Sequence, residues 1–143
     1  MISCTKRLEF DAAHRLIDHT SGCQMVHGHR YAIEITFASE VLDTIGMVID
    51  FKEIKSRFKL WIDTHWDHNI ILHKDDKKLG DAISEYTGQK VFYLEFNPTS
   101  ENIAYYLFNI VLKEVFADRP NYIKLCKNIK VFETPTSSSL YEG

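Results

Sequence analysis

His27-Gly28-His29 sets two imidazoles two residues apart, immediately ahead of an alternating apolar segment. On extended backbone successive side chains leave on opposite faces, so residues at i and i+2 project from one side and both rings can reach a common point. His14 ends an earlier alternating segment and would add a third ring if the two segments are neighbours in a sheet, with Gly28 leaving room for close packing. Three neutral imidazoles and an open position are the donor set of a catalytic zinc. Any one of these histidines alone reads as a surface or satisfied core residue. Their grouping is what points to a metal.

Cys23 stands four residues before His27. A thiol beside a dication ionises more readily and could act as general base or nucleophile near neutral pH, whereas an isolated cysteine reads as an inert core residue. Cys4 and Cys126 do not supply the short spacing of a thiolate zinc knuckle. Asp67-His68 is a second ionisable cluster, with His65 and His73 nearby. A carboxylate can orient an imidazole and raise its basicity, although the pair also fits a solvated loop after a helix. Glu133, at the end of the last alternating segment, could grip the N–H edge of a heterocycle through paired charge-assisted hydrogen bonds, or could end a strand at solvent.

The elements that must position these groups are legible from periodicity. Strands are expected at 31–38 and, more weakly, 7–12, joined through a connection over 15–29 that is long for a hairpin and carries Cys23, His27 and His29. Asp50 with Glu53 forms a capping-box pattern ahead of a helix to about Asp63, with Phe51, Ile54, Phe58, Trp61 and Ile62 on one side. A short helix near 79–86 ends at Gly88, and a strand follows at 91–96. Asn97-Pro98-Thr99 sets up a helix over about 100–117 with a stripe of Ile103, Leu107, Ile110, Val111 and Val115, and a last strand spans about 128–134. This order implies an α+β domain: a four-stranded antiparallel sheet with two main helices packed on one face.

The 143 residues fit one domain, 1–143, with 45% hydrophobic and 26% charged residues, the balance of an ordinary globular chain. A net charge of -3 argues against a nucleic-acid partner. No apolar run approaches the roughly 20 residues that cross a bilayer, and no signal-peptide pattern opens the sequence, so the expected compartment is the cytoplasm, without membrane attachment. Three scattered cysteines suit a reducing environment.

Taken together, FDAAH at 10–14, CQMVHGHRY at 23–31, GMVIDF at 46–51, DH at 67–68, NPTSEN at 97–102 and ET at 133–134 resemble the 6-pyruvoyl/6-carboxy-tetrahydropterin synthase family over nearly the whole chain. The resemblance implies the tunnelling fold (T-fold), in which sheets of several subunits close into a barrel, here a homo-oligomer (trimer or hexamer) with sites at subunit interfaces. It implies Zn2+ held by His14, His27 and His29, Cys23 as proton acceptor, Asp67 and His68 as a relay, Glu133 as pterin anchor and further member of the relay, and Thr99 and Ser100 as substrate contacts. The implied substrate is 7,8-dihydroneopterin triphosphate. The Cys23-x-x-x-His27 spacing resembles the 6-carboxy enzymes of queuosine and deazapurine biosynthesis, which release acetaldehyde, the 6-pyruvoyl enzymes typically having a longer gap; the alternative, a 6-pyruvoyl-tetrahydropterin synthase, would share every named residue and differ in leaving the side chain uncleaved. A non-catalytic zinc- or pterin-binding module of the same fold would need no thiol, and a zinc hydrolase is disfavoured because no H-E-x-x-H is present. Where many relatives continue the Asp-His pair into Leu-Asn, this chain has Asn69-Ile70-Ile71-Leu72 and a lengthy segment before Val91, a departure expected to bear on the phosphate pocket or the relay.

Overall fold

A computed structural model describes residues 1–19 and 22–143. Along the chain it forms β1 (Ile2–His14), β2 (His27–Ser39), α1 (Phe51–His65), β3 (Asn69–His73), α2 (Lys77–Thr87), β4 (Phe92–Leu94), α3 (Ser100–Tyr106), α4 (Leu112–Val115), α5 (Pro120–Leu125), β5 (Cys126–Thr134) and β6 (Ser137–Glu142).

The alternation of β1 and β2 builds the centre. They pair antiparallel from Ile2 opposite Ser39 to His14 opposite His27. One face of the pair buries Leu8, Phe10 and Ala12 with Tyr31, Ile33, Ile35 and Phe37; each large side chain so buried contributes about 1.5–3 kcal/mol. β5 and then β6 extend the sheet antiparallel beyond β2, while β3 and β4 extend it in parallel beyond β1. The order is β4-β3-β1-β2-β5-β6.

The α+β class holds, but the expected four-stranded antiparallel sheet is, among the described residues, a six-stranded mixed one. The added strands have physical reasons for escaping notice. In β3 the apolar run Ile70-Ile71-Leu72 is too short for periodicity to classify. Serine-rich, mostly exposed β6 is a strand through its pairing with β5 rather than through its own pattern. The departure after His68 is thus where β3, α2 and β4 are built.

α1 begins as expected, with Asp50 Oδ1 accepting from Lys52 N at 2.8 Å. The reciprocal half of the capping box is absent, because Glu53 accepts from Arg57 Nε at 2.8 Å instead. Ile54, Phe58, Trp61 and Ile62 enter the main core, whereas Phe51, in the first turn, is 49% exposed. α3 and α4 run on through a π-helical turn, Leu107–Val111. Its wider winding rotates the apolar stripe, so Ile110 is exposed and Leu112 is buried in its place. The main core thus lies between α1, α3, α4 and one sheet face. On the other face α2 covers a small cluster of Ile70, Leu72 and Val91 with Leu79, Ile83 and Tyr93.

α2 ends at Gly88, whose φ of 72° is the left-handed cap glycine takes without strain. Its other end is pinned to β1: Arg15, next to His14, donates to both oxygens of the buried Asp76 at 2.5 and 2.7 Å. Arg15→Ala would strand that carboxylate and is expected to lower the unfolding free energy by about 2–3 kcal/mol, with partial recovery in Arg15→Lys. Urea titration reads the difference; an unchanged midpoint would show that the pair contributes nothing.

Among the described residues, several sheet edges stay open within one chain. β3 covers only Ala12–His14 of β1, leaving the N-terminal part of β1 without a strand on that side, and β4 and β6 end the sheet. Among the described residues, no helix is long and apolar enough to cross a membrane.

Candidate metal centre

The β1–β2 register delivers three imidazoles to one point. His14 and His27 face each other across the ladder, and His29, opposite Ala12, is the diagonal neighbour on the same face. Their ligand nitrogens lie within 4.8 Å of one another, at the end of the buried face, where His14 is 1% exposed.

Backbone carbonyls fix the proton on each of two rings. His14 Nδ1 lies 2.7 Å from the Pro98 carbonyl and His27 Nδ1 lies 2.8 Å from that of Met25. A carbonyl only accepts, so both Nδ1 atoms carry hydrogen, which leaves Nε2 as the atom of each ring that can bind a metal. Those two Nε2 atoms stand 3.1 Å apart. Lone pairs at that distance repel unless a cation lies between them. His29 Nε2 is buried without a hydrogen-bond partner, with Glu133 Oε1 3.5 Å away. Burial holds His14 and His29 below the ordinary imidazole value of 6.5, although Pro98 and Glu133 pull His14, and Glu133 pulls His29, in the other direction. Both rings are therefore neutral at pH 7, the form that binds a metal. The donor set fits zinc: three imidazole nitrogens, two of the rings oriented by carbonyl partners.

Glu133, near the end of β5, stands beside this cluster, and its charge acts on His14, His29 and Tyr31 alike. Tyr31 Oη is 3.1 Å from His14 Nδ1, and burial, reinforced by Glu133, pushes its hydroxyl far above its ordinary range. Residue type alone marks neither Tyr31 nor the Pro98 carbonyl as part of the site. Tyr31 was within reach, being two residues beyond His29 on the same strand face.

Gly28 lies on the opposite face, where an added Cβ would meet only Ala12 O, at 3.4 Å, so packing within the chain does not require its small size. Cys23 sits on a single 3₁₀ turn, Gly22–Gln24, as a half-buried free thiol outside the 4.8 Å nitrogen cluster. Thr99 Oγ1 caps α3 by accepting from Asn102 N at 3.2 Å, and Ser100 Oγ lies 2.5 Å from Ser139 Oγ. Of the other histidines, His65 packs on Trp61 and Phe92, while His73 Nδ1 accepts from Asp75 N.

Asp67 and His68 form the expected pair, Nδ1 to Oδ2 at 2.9 Å, but not beside the histidines. Their third member is Asp11, whose backbone N–H donates to Asp67 Oδ1 at 3.0 Å and whose side chain alternates with Phe10 and Ala12, hence leaves on the other sheet face. His68 adopts φ of 58°, held by donation of its backbone N–H to Asp11 O at 2.7 Å. Burial pushes the Asp67 carboxyl up, but the Asp11 N–H and His68 outweigh it and hold it below its ordinary 3.8. His68 and Asp11 line a cleft of ≈ 560 Å³ together with Arg30, Asn69, Ile83 and Gln89.

A curled mixed sheet with its main helices on one face is the T-fold of the pterin synthases, and a histidine triad at the end of its central hairpin suits a metal-assisted member of that class. Residues 3–143 match the 6-pyruvoyl tetrahydropterin synthase family, and the chain belongs to that family. The 6-carboxy-5,6,7,8-tetrahydropterin synthase of Rickettsia bellii is 50% identical over 135 residues, covering 94% of this chain and 96% of that protein. That of Aquifex aeolicus is 32% identical over 125 residues, 84% of this chain and 75% of the relative. Among solved structures, the 6-pyruvoyl tetrahydropterin synthase of Caenorhabditis elegans superposes with a TM-score of 0.69 at 26% identity, covering 99% of this chain and 95% of that one.

Proposed function

We propose that the chain is a zinc-dependent 6-carboxy-5,6,7,8-tetrahydropterin synthase, converting 7,8-dihydroneopterin triphosphate to 6-carboxytetrahydropterin with release of acetaldehyde and triphosphate, in queuosine or deazapurine biosynthesis in the cytoplasm. The observation that carries this reading is the convergence of His14, His27 and His29 within 4.8 Å, beside Glu133 in a chain 50% identical to a 6-carboxy enzyme.

His14, His27 and His29 would hold the zinc, which when bound supplies Lewis acidity to the substrate's side-chain oxygens. Glu133 accepts from the pterin's amino and ring N–H groups, orienting the heterocycle. The Cys23 thiolate takes the proton released beside the ring, and Thr99 and Ser100 line the pterin's approach. Asp67 and His68 face away from the triad of their own chain, so as a relay they would serve the site of a second copy. That placement, together with the open edges of β1 and β6, supports a homo-oligomer, trimer or hexamer, of single-domain 1–143 subunits.

Incubation with 7,8-dihydroneopterin triphosphate tests the reading: 6-carboxytetrahydropterin and acetaldehyde are expected in equal amounts. A 6-pyruvoyl product with its side chain intact would instead assign the other activity of the family, and unchanged substrate would refute both. Glu133→Gln replaces one acceptor by a donor facing the ligand's own donors, so binding of dihydroneopterin should weaken by about 2–4 kcal/mol by calorimetry. Equal affinity would remove Glu133 as the anchor.

A further inference from the structure

The segment between β4 and α3 touches the site at two places at once. Pro98 lends its carbonyl to His14 Nδ1 at 2.7 Å. Asn97, the residue before it, turns its side chain the other way, onto the connection that carries Cys23. Its Oδ1 accepts from Ile17 N at 3.0 Å and its Nδ2 donates to Ile17 O at 2.9 Å. A carboxamide that closes both bonds on one residue's N–H and C=O imitates a neighbouring strand and fixes that residue's position and direction. One residue earlier, Leu16 N donates to Cys23 O at 2.8 Å, so the clamped backbone is tied directly to the cysteine's own peptide.

The other side of Asn97 is anchored. Its carbonyl accepts from Thr99 N and from Asn102 Nδ2, each at 2.9 Å, and Thr99 caps α3, whose Ile103 and Ala104 lie in the core. A continuous set of bonds therefore runs from the buried start of α3 through Asn97 and Ile17 to the Cys23 turn, while the adjacent peptide holds His14.

We propose that Asn97 is the positioning residue for Cys23, its carboxamide clamping Ile17 so that the thiol turn is held in register with the histidine that Pro98 orients. The proposal rests on the reading of Cys23 as the thiol of the pterin site. An asparagine is needed because the clamp uses one donor and one acceptor on a short stem: aspartate lacks the donor and sets a carboxylate against Ile17 O. A side chain that places a proton acceptor, rather than touching substrate, acts on the chemical step more than on binding, since small displacements of a reacting group are costly to rate.

The test uses the zinc-loaded full chain and four forms: wild type, Asn97→Ala, Cys23→Ala and the double variant. Asn97→Ala is expected to keep its zinc and its KM within about twofold, to lose kcat by about 10- to 100-fold, and to speed amide exchange at Leu16 and Ile17 at least tenfold. Site-resolved alkylation of Cys23 should change rate while that of Cys4 does not. Adding Asn97→Ala to Cys23→Ala should cost no further turnover, because residues acting as one unit are non-additive. If Asn97→Ala does not fold, Asn97→Asp, which keeps the volume and the acceptor for Ile17 N, takes its place with the same expectations. Unchanged exchange at Leu16 and Ile17, loss of zinc together with turnover, or full additivity with Cys23→Ala would each overturn the proposal. If Cys23→Ala retains wild-type turnover, the thiol reading fails; faster exchange in Asn97→Ala would then still uphold the clamp on Ile17, and unchanged exchange would overturn it.

Discussion

His27→Ala is expected to purify with less than a tenth of the zinc of the wild type, which should carry about one per chain, and to show no measurable turnover. Two nitrogens remain in the variant, and a two-imidazole site on an open strand end lacks the third donor that closes a catalytic zinc centre. The structure also predicts what should not happen. In the apo-protein His14 Nε2 and His27 Nε2 face each other at 3.1 Å with their protons fixed on the far side by Pro98 and Met25. Removing one ring relieves that repulsion, so in chelator the variant should be at least as stable as the wild type. A folded, chelator-stable protein without metal separates ligand loss from misfolding, and equal zinc in both proteins would sink the triad. Acid acts on the same groups. His14 and His29 have folded-state values depressed below 6.5 by burial, so below that value the unfolded chain takes up protons that the folded one refuses. Stability of the apo-protein should be level above about pH 6.5 and fall as the pH drops further.

Cys23→Ala carries the second large effect, with the opposite pattern: zinc retained, fold retained, turnover reduced by about 10²- to 10⁴-fold, the range for loss of a positioned general base. The thiol stands outside the 4.8 Å nitrogen cluster, on a turn tied back to Leu16, so its loss leaves the three imidazoles in place. Metal analysis beside a steady-state assay reads both quantities. Loss of zinc would make Cys23 a ligand, and undiminished turnover would remove it from the reaction.

The triad was legible because it rests on two short-range rules. Alternation put His27 and His29 on one face, and the apolar pattern of β1 and β2 fixed which face, so pairing the strands brought His14 opposite His27. The helices were legible for the same reason, until the π turn at Leu107–Val111 shifted the stripe past Ile110. Less legible was everything set by tertiary pairing. β6 has little pattern of its own, and β3 is too brief to announce itself. The Asp67-His68 pair was visible as a motif, but its side of the sheet depends on Asp11, whose backbone N–H and O meet Asp67 Oδ1 and His68 N across a long sequence gap. The carbonyls of Pro98 and Met25, which decide the histidine tautomers, belong to backbone and leave no trace in residue types.

Zinc K-edge absorption on the zinc-loaded wild type tests most directly that three imidazoles hold the metal with the thiol standing apart. Three nitrogen scatterers with imidazole outer shells at about 2.0 Å, one further light-atom position and no sulfur are expected. A sulfur shell near 2.3 Å, or fewer than three imidazoles, would contradict this arrangement.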